Sequence, residues 1–136
     1  MLEQGPKRDK FQSIQERVSF MRYDFYEPQP IHNARLFLLR QVIHNYSDDK
    51  TVRIFKSFVP ALEKSAVGTG LLINDMILPG PNTKPKVEEH GLRQIDMAML
   101  GGYSAKQRTL KEFANLLSTA DERLKVGHLS DRFPKS

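Results

Sequence analysis

A chain of 136 residues with 39% hydrophobic content holds one domain and a modest core. It has no cysteine, which excludes disulfides, thiolate zinc sites and cysteine nucleophiles. The net charge of +5 comes from lysines and arginines interleaved with acids, not from a basic stripe with aromatics, so nucleic acid is not an expected partner. No apolar run has the length of a membrane span, and MLEQGPKRDK lacks the apolar region of a signal peptide. The expectation is a soluble cytoplasmic protein with no membrane partner.

Residues 1–15 are polar, with a weak helical hint at Phe11 and Ile14. Residues 17–21 predict a strand, because Val18 and Phe20 alternate with Arg17 and Ser19. Pro28 and Pro30 then interrupt regular structure. The apolar run 36–39 is too short for a helix and predicts a buried strand.

Ser47, Asp48 and Asp49 next supply an N-cap and acids for a helix start, where the positive end of the dipole favours them. Val52, Phe55, Val59 and Leu62 define one face of that helix, and Pro60 predicts a kink or tightening late in it. Gly68 and Gly70 open a third strand, 71–77, which carries Asp75 near its end.

LPGPNTKPK reads as a surface loop, followed by a helix over 87–100 with the stripe Leu92, Ile95 and Met99. Asp96 interrupts that stripe as a cap or core partner, and Gly101 and Gly102 stop the helix. Thr109 and Glu112 form a capping box for a last helix with Leu110, Phe113 and Leu117 on one face. A final strand is expected over 124–129, before a polar tail. This order points to α/β architecture with a mainly parallel but thin sheet.

His44 lies between a strand and a helix, at the edge where α/β sheets bind ligands. An imidazole titrates near neutrality and serves as a general base when a carboxylate orients it, and Asp75 ends the next strand. A structural histidine fits the same pattern. His32, His90 and His128 lie in separate elements without metal-ligand spacing, and there is no GxSxG and no phosphate-cradling glycine loop.

The segments FLLRQVIHNYSDDKTVRIFKSFVPALE, LLINDMILPG and RQIDMAMLGGYSAKQRTLKEFANLL, preceded by RVSFMRYDFYEPQP, carry a further signal. In order and spacing they resemble the C-terminal half of S-adenosylmethionine-dependent O-methyltransferases of the caffeate and flavonoid type, fungal secondary-metabolism members above all. The resemblance implies a partial Rossmann-like class I methyltransferase sheet that lacks the first strands and the last. It sets a polar segment at 1–16, a truncated catalytic domain at 17–130 and a tail at 131–136.

It also makes His44 the catalytic base, in a His-Asp-Trp motif written here His44, Asn45 and Tyr46. Asp75 takes the place of the first flanking carboxylate. Gln107 stands where the family commonly has a second, a Glu, and an amide cannot pair its charge with an imidazolium. Asp24 and Phe25 match the adenine-contacting pair, Arg40 a basic residue near the cofactor, and Met99 and Asn45 positions beside the acceptor.

The implied cofactor is S-adenosylmethionine, without a metal, and the implied acceptor is a phenolic or polyketide hydroxyl. The glycine-rich cofactor loop, the ribose-binding acid and the dimerising helical region are expected ahead of residue 1. Two readings follow: an O-methyltransferase with His44 as base, or a non-catalytic interaction subunit. The second is stable as a homodimer or on a partner methyltransferase chain.

Overall fold

The computed structural model describes residues 15–78 and 107–129. The polar start, the loop after Leu78, the helix expected over 87–100 with Asp96 and Met99, the two glycines after it and the tail lie outside the described residues.

A short 3-10 turn, Gln15–Arg17, is followed by irregular backbone as far as Arg35. The strand expected at 17–21 does not form. Neither of the two sheets takes it in, and Phe20 and Met21 are exposed despite the alternation.

The first regular strand, β1 (Leu36–Arg40), leads to a helix, α1 (Asp48–Lys64), and then to β2 (Gly70–Asn74). β1 and β2 pair in parallel, from Leu36 opposite Gly70 to Arg40 opposite Asn74, so the three elements form a βαβ unit. β1 is buried on one face only. Phe37 and Leu39 are 6% and 8% exposed, whereas Leu36 and Leu38 are 53% and 55% exposed.

The turn into β2 carries Gly68 at φ +91°, and the Thr69 N–H closes it on the Ala66 carbonyl at 3.0 Å. A glycine suits that conformation because it has no Cβ to clash. α1 runs on through Pro60 to Lys64.

Its buried face differs from the one read off the sequence. Thr51, Ile54, Phe55, Ser57, Phe58 and Ala61 are buried, while Val52, Val59 and Leu62 are only half-buried. The helix packs on the sheet and on the last helix at once, which turns the stripe toward Ile54 and Phe58. The Phe58 ring meets Phe37 edge-on at 5.5 Å.

The single strand expected over 71–77 is two. After Asn74 the chain leaves the first sheet, and β3 (Ile77–Leu78) pairs in parallel with β4 (Arg108–Thr109) in a second small sheet. The capping box forms as expected. Thr109 Oγ1 accepts the Glu112 N–H at 3.3 Å, and Glu112 Oε2 accepts the Thr109 N–H at 2.8 Å, starting α2 (Leu110–Ala120). Phe113 and Leu117 of α2 complete the core with Ile43, Ile54, Phe55 and Phe58.

Residues 124–129 are irregular and not a strand; Val126 and Leu129 are exposed. The chain after α2 instead packs Leu124 against the core and carries exposed ion pairs. Arg123 bridges Asp121 and Glu63, each at 2.7 Å, and holds the Asp121 carboxyl down from 3.8 to about 2.

Two predictions follow from this packing. Ile54→Ala should cost about 2–5 kcal/mol in urea denaturation, as expected for a fully buried aliphatic residue, and a cost under about 1 would contradict its place in the core. Because the folded Asp121 value is depressed, its contribution is present above pH 3.8 and lost as pH falls toward about 2. The urea midpoint of wild type should therefore drop more over that window than that of Asp121→Asn; equal drops would refute the assignment.

Candidate active site

At the carboxyl end of β1 the chain makes an abrupt turn. The Gln41 N–H donates to the Asn74 carbonyl at 2.9 Å, ending the ladder, and Gln41 itself sits at φ +52° in the left-handed region. A 3-10 turn, Ile43–Asn45, follows and is closed by the Tyr46 N–H on the Ile43 carbonyl at 3.1 Å. Ile43 is fully buried and anchors the turn in the core, which leaves the His44 ring facing out, 19% exposed.

Asp75, just past β2, meets this turn from the neighbouring strand. Its Oδ2 accepts the backbone N–H groups of Ile43 at 3.0 Å and His44 at 3.2 Å. Its Oδ1 lies 2.8 Å from His44 Nδ1 and accepts the Met76 N–H at 3.0 Å. The Asp75 side chain is only 3% exposed. Since an ionised carboxylate only accepts, the contact suits a proton on Nδ1, and in a neutral ring that arrangement leaves Nε2 with the lone pair.

Beside it stands an aromatic group. The Phe25 ring lies 4.7 Å from Tyr26 and 5.5 Å from Tyr46, and the Arg53 guanidinium caps the Tyr26 ring at 4.8 Å. Asp24 is exposed at the start of this turn and accepts the Tyr26 N–H through Oδ1 at 2.9 Å. The segment is fastened to α1 by Gln29, whose N–H donates to the Ser57 carbonyl and whose Nε2 donates to the Tyr23 hydroxyl, both at 2.9 Å. Burial, and then the Asp24 charge, push the Tyr23 phenol upward.

The structure therefore brings His44 and Asp75 into direct contact and sets Phe25 against Tyr46, two residues past His44. Asn45 is half-buried within the turn and donates to the Gln41 carbonyl at a long 3.5 Å. Gln107 is buried next to Arg108, whose guanidinium reaches the turn. Arg40 is exposed at the end of β1, and among the described residues no hydrogen bond or ion pair joins it to His44 or Asp75. Met99 lies outside the described residues.

Sequence reasoning missed Arg108 and Gln29. Each is polar and buried, and a single chain carries no local signal that a polar residue will be. Among the described residues no cluster of His, Asp and Glu could hold a metal ion, and no helix is long and apolar enough to cross a membrane.

The sequence matches the O-methyltransferase domain family over residues 2–121. The O-methyltransferase sol2 of Alternaria solani is 52% identical over 126 residues, which is 93% of this chain but 29% of that protein. The chain thus spans less than a third of that relative's length. Among solved structures, TnmH superposes with a TM-score of 0.76 at 22% identity, covering 95% of this chain and 36% of that one. OxaC in complex with sinefungin and meleagrin superposes at 0.65 with 27% identity, covering 79% of this chain and 26% of that one. The architecture is that of a class I methyltransferase in part, α/β with small parallel sheets.

Asp75→Ala removes the acceptor of three backbone N–H groups. Leaving such groups unsatisfied costs roughly 1–3 kcal/mol each, so the variant should be less stable and its amides at residues 43, 44 and 76 should exchange faster in hydrogen-exchange measurements. Unchanged protection at those amides would contradict the clamp.

Proposed function

The chain belongs to the O-methyltransferase domain family, and on that premise we propose that it works in transfer of a methyl group from S-adenosylmethionine to a hydroxyl of a small aromatic or polyketide secondary metabolite. The observation that carries this reading is the 2.8 Å contact between His44 Nδ1 and Asp75 at the carboxyl edge of a parallel sheet.

His44 takes the proton of the acceptor hydroxyl at Nε2, which converts a weak oxygen nucleophile into a strong one. Asp75 holds the ring in the tautomer that leaves Nε2 open and stabilises the imidazolium that forms. A hydroxyl proton needs this help because neutral phenols and enols attack poorly. Gln107, buried near the same turn, offers hydrogen bonds but no second charge, so among the described residues the imidazolium takes its charge pairing from Asp75.

When bound, S-adenosylmethionine supplies an electrophilic methyl group on a sulfonium centre. The residues present fit the adenine end of that cofactor: Phe25 offers an aromatic ring held by Tyr26 and Tyr46, and the adjacent exposed Asp24 offers a carboxylate to an exocyclic amine. Arg40, at the end of β1, is assigned to the cofactor side, and Asn45 and Met99 to the acceptor side. The complex of OxaC with sinefungin and meleagrin supports a site that takes a nucleoside and a small molecule together.

A second reading rests on one observation. Leu36, Leu38 and Leu72 are 53%, 55% and 49% exposed on the face of the sheet away from α1, an apolar surface suited to a second copy or a partner methyltransferase chain. In that reading the chain is an interaction subunit.

Titration calorimetry with S-adenosylhomocysteine, joined to methyl-transfer assays on phenolic acceptors, separates the two. The enzyme reading expects binding that survives His44→Ala and a turnover that falls by about 10²–10⁴-fold in the same variant. A folded chain that binds no cofactor would favour the interaction subunit, and undiminished turnover in His44→Ala would remove His44 as the base.

A further inference from the structure

Arg108 is 1% exposed, on a two-residue strand far in sequence from the site. A buried guanidinium is costly unless its donors are filled, and here each of its three nitrogens has a defined partner. Nε donates to Asp48 Oδ1 at 2.9 Å, and Nη2 pairs with the same oxygen at 2.7 Å. Nη1 donates to the Ile43 carbonyl at 3.1 Å and Nη2 to the Tyr46 carbonyl at 2.7 Å.

Those two carbonyls stand at either end of the turn that carries His44. The His44 N–H, on the other side of the Ile43–His44 peptide, and the Ile43 N–H one peptide earlier are held by Asp75. The turn is therefore gripped from both sides, by the anion on its donors and by the cation on its acceptors. Asp48 has a second effect. It is the first residue of α1, where a cation would meet the positive end of the helix dipole, and its carboxylate offsets that repulsion.

We infer that Arg108 is a positioning residue for His44, fixing the turn so that Nδ1 points at Asp75 and Nε2 is left open for the acceptor proton. The inference rests on the reading of His44 as the base. A brace that merely joins β4 to α1 would use the Asp48 pair alone; the bonds to Ile43 and Tyr46 are what act on the histidine.

The test is nitrogen NMR of the neutral imidazole in the full chain, labelled at histidine, with His44→Ala identifying the signal. Wild type should show one tautomer, protonated at Nδ1. Arg108→Met should still melt cooperatively yet show both ring-nitrogen shifts moving toward a common average, as the turn loosens and the tautomers exchange. Arg108→Lys should fall between them, since one ammonium cannot span two carbonyls and a carboxylate as a planar fork does.

A single unchanged tautomer in Arg108→Met would overturn the inference and leave the base assignment standing. Should that variant fail to fold, the same unchanged tautomer in Arg108→Lys would overturn it. Mixed tautomers already in wild type would overturn the base assignment, and the inference with it.

Discussion

The carboxylate of Asp75 accepts two backbone N–H groups from the His44 turn, the His44 ring and the N–H of its own successor. Everything else at this end of the molecule depends on it. The turn begins with Gln41 in a left-handed conformation, a strain of roughly 1–3 kcal/mol. Hydrogen bonds to a charged group contribute about 1.5–3 kcal/mol each, so the several made by Asp75 outweigh the strain and keep the turn in place. Because the carboxylate is almost entirely buried, water competes little for it.

That contact exists because β1 and β2 are parallel neighbours in register. Arg40 faces Asn74 in the last pair, so residue 41 onward and residue 75 leave the sheet at the same edge. The βαβ connection through α1 makes the parallel pairing possible, and the core of Phe37, Leu39, Ile54, Phe55 and Phe58 holds α1 on the sheet. The aromatic group of Phe25, Tyr26 and Tyr46 is in turn seated by Gln29 on the Ser57 carbonyl of that helix. One helix thus organises both the His44–Asp75 pair and the aromatic group.

Local chemistry was the legible part. The Thr109–Glu112 capping box forms because its partners are three residues apart, and the short apolar run 36–39 becomes a strand because nothing else suits it. Strands read from alternation alone at 17–21 and 124–129 do not form, since a strand needs a neighbour and neither segment has one in the two sheets. The face of α1 was misplaced for a related reason. Spacing fixes a stripe, but the position of the sheet and of α2 decides which side of the stripe is deepest. Likewise 71–77 reads as one strand in sequence and is two in space, because Asp75 leaves the first sheet to meet His44.

By itself, the sequence determined the family, the α/β class, the starts of α1 and α2 and the residue types at the candidate site: a histidine after one strand and an aspartate after the next. These follow from short-range rules or from motifs kept in order. Only the tertiary structure decided that Nδ1 is the nitrogen facing Asp75, that Phe25 packs on Tyr46, and that Arg108 lies buried against carbonyls 62 and 65 residues away. The reason is physical: a polar side chain is worth burying only where distant partners meet it, and no local pattern in the chain encodes where they will be.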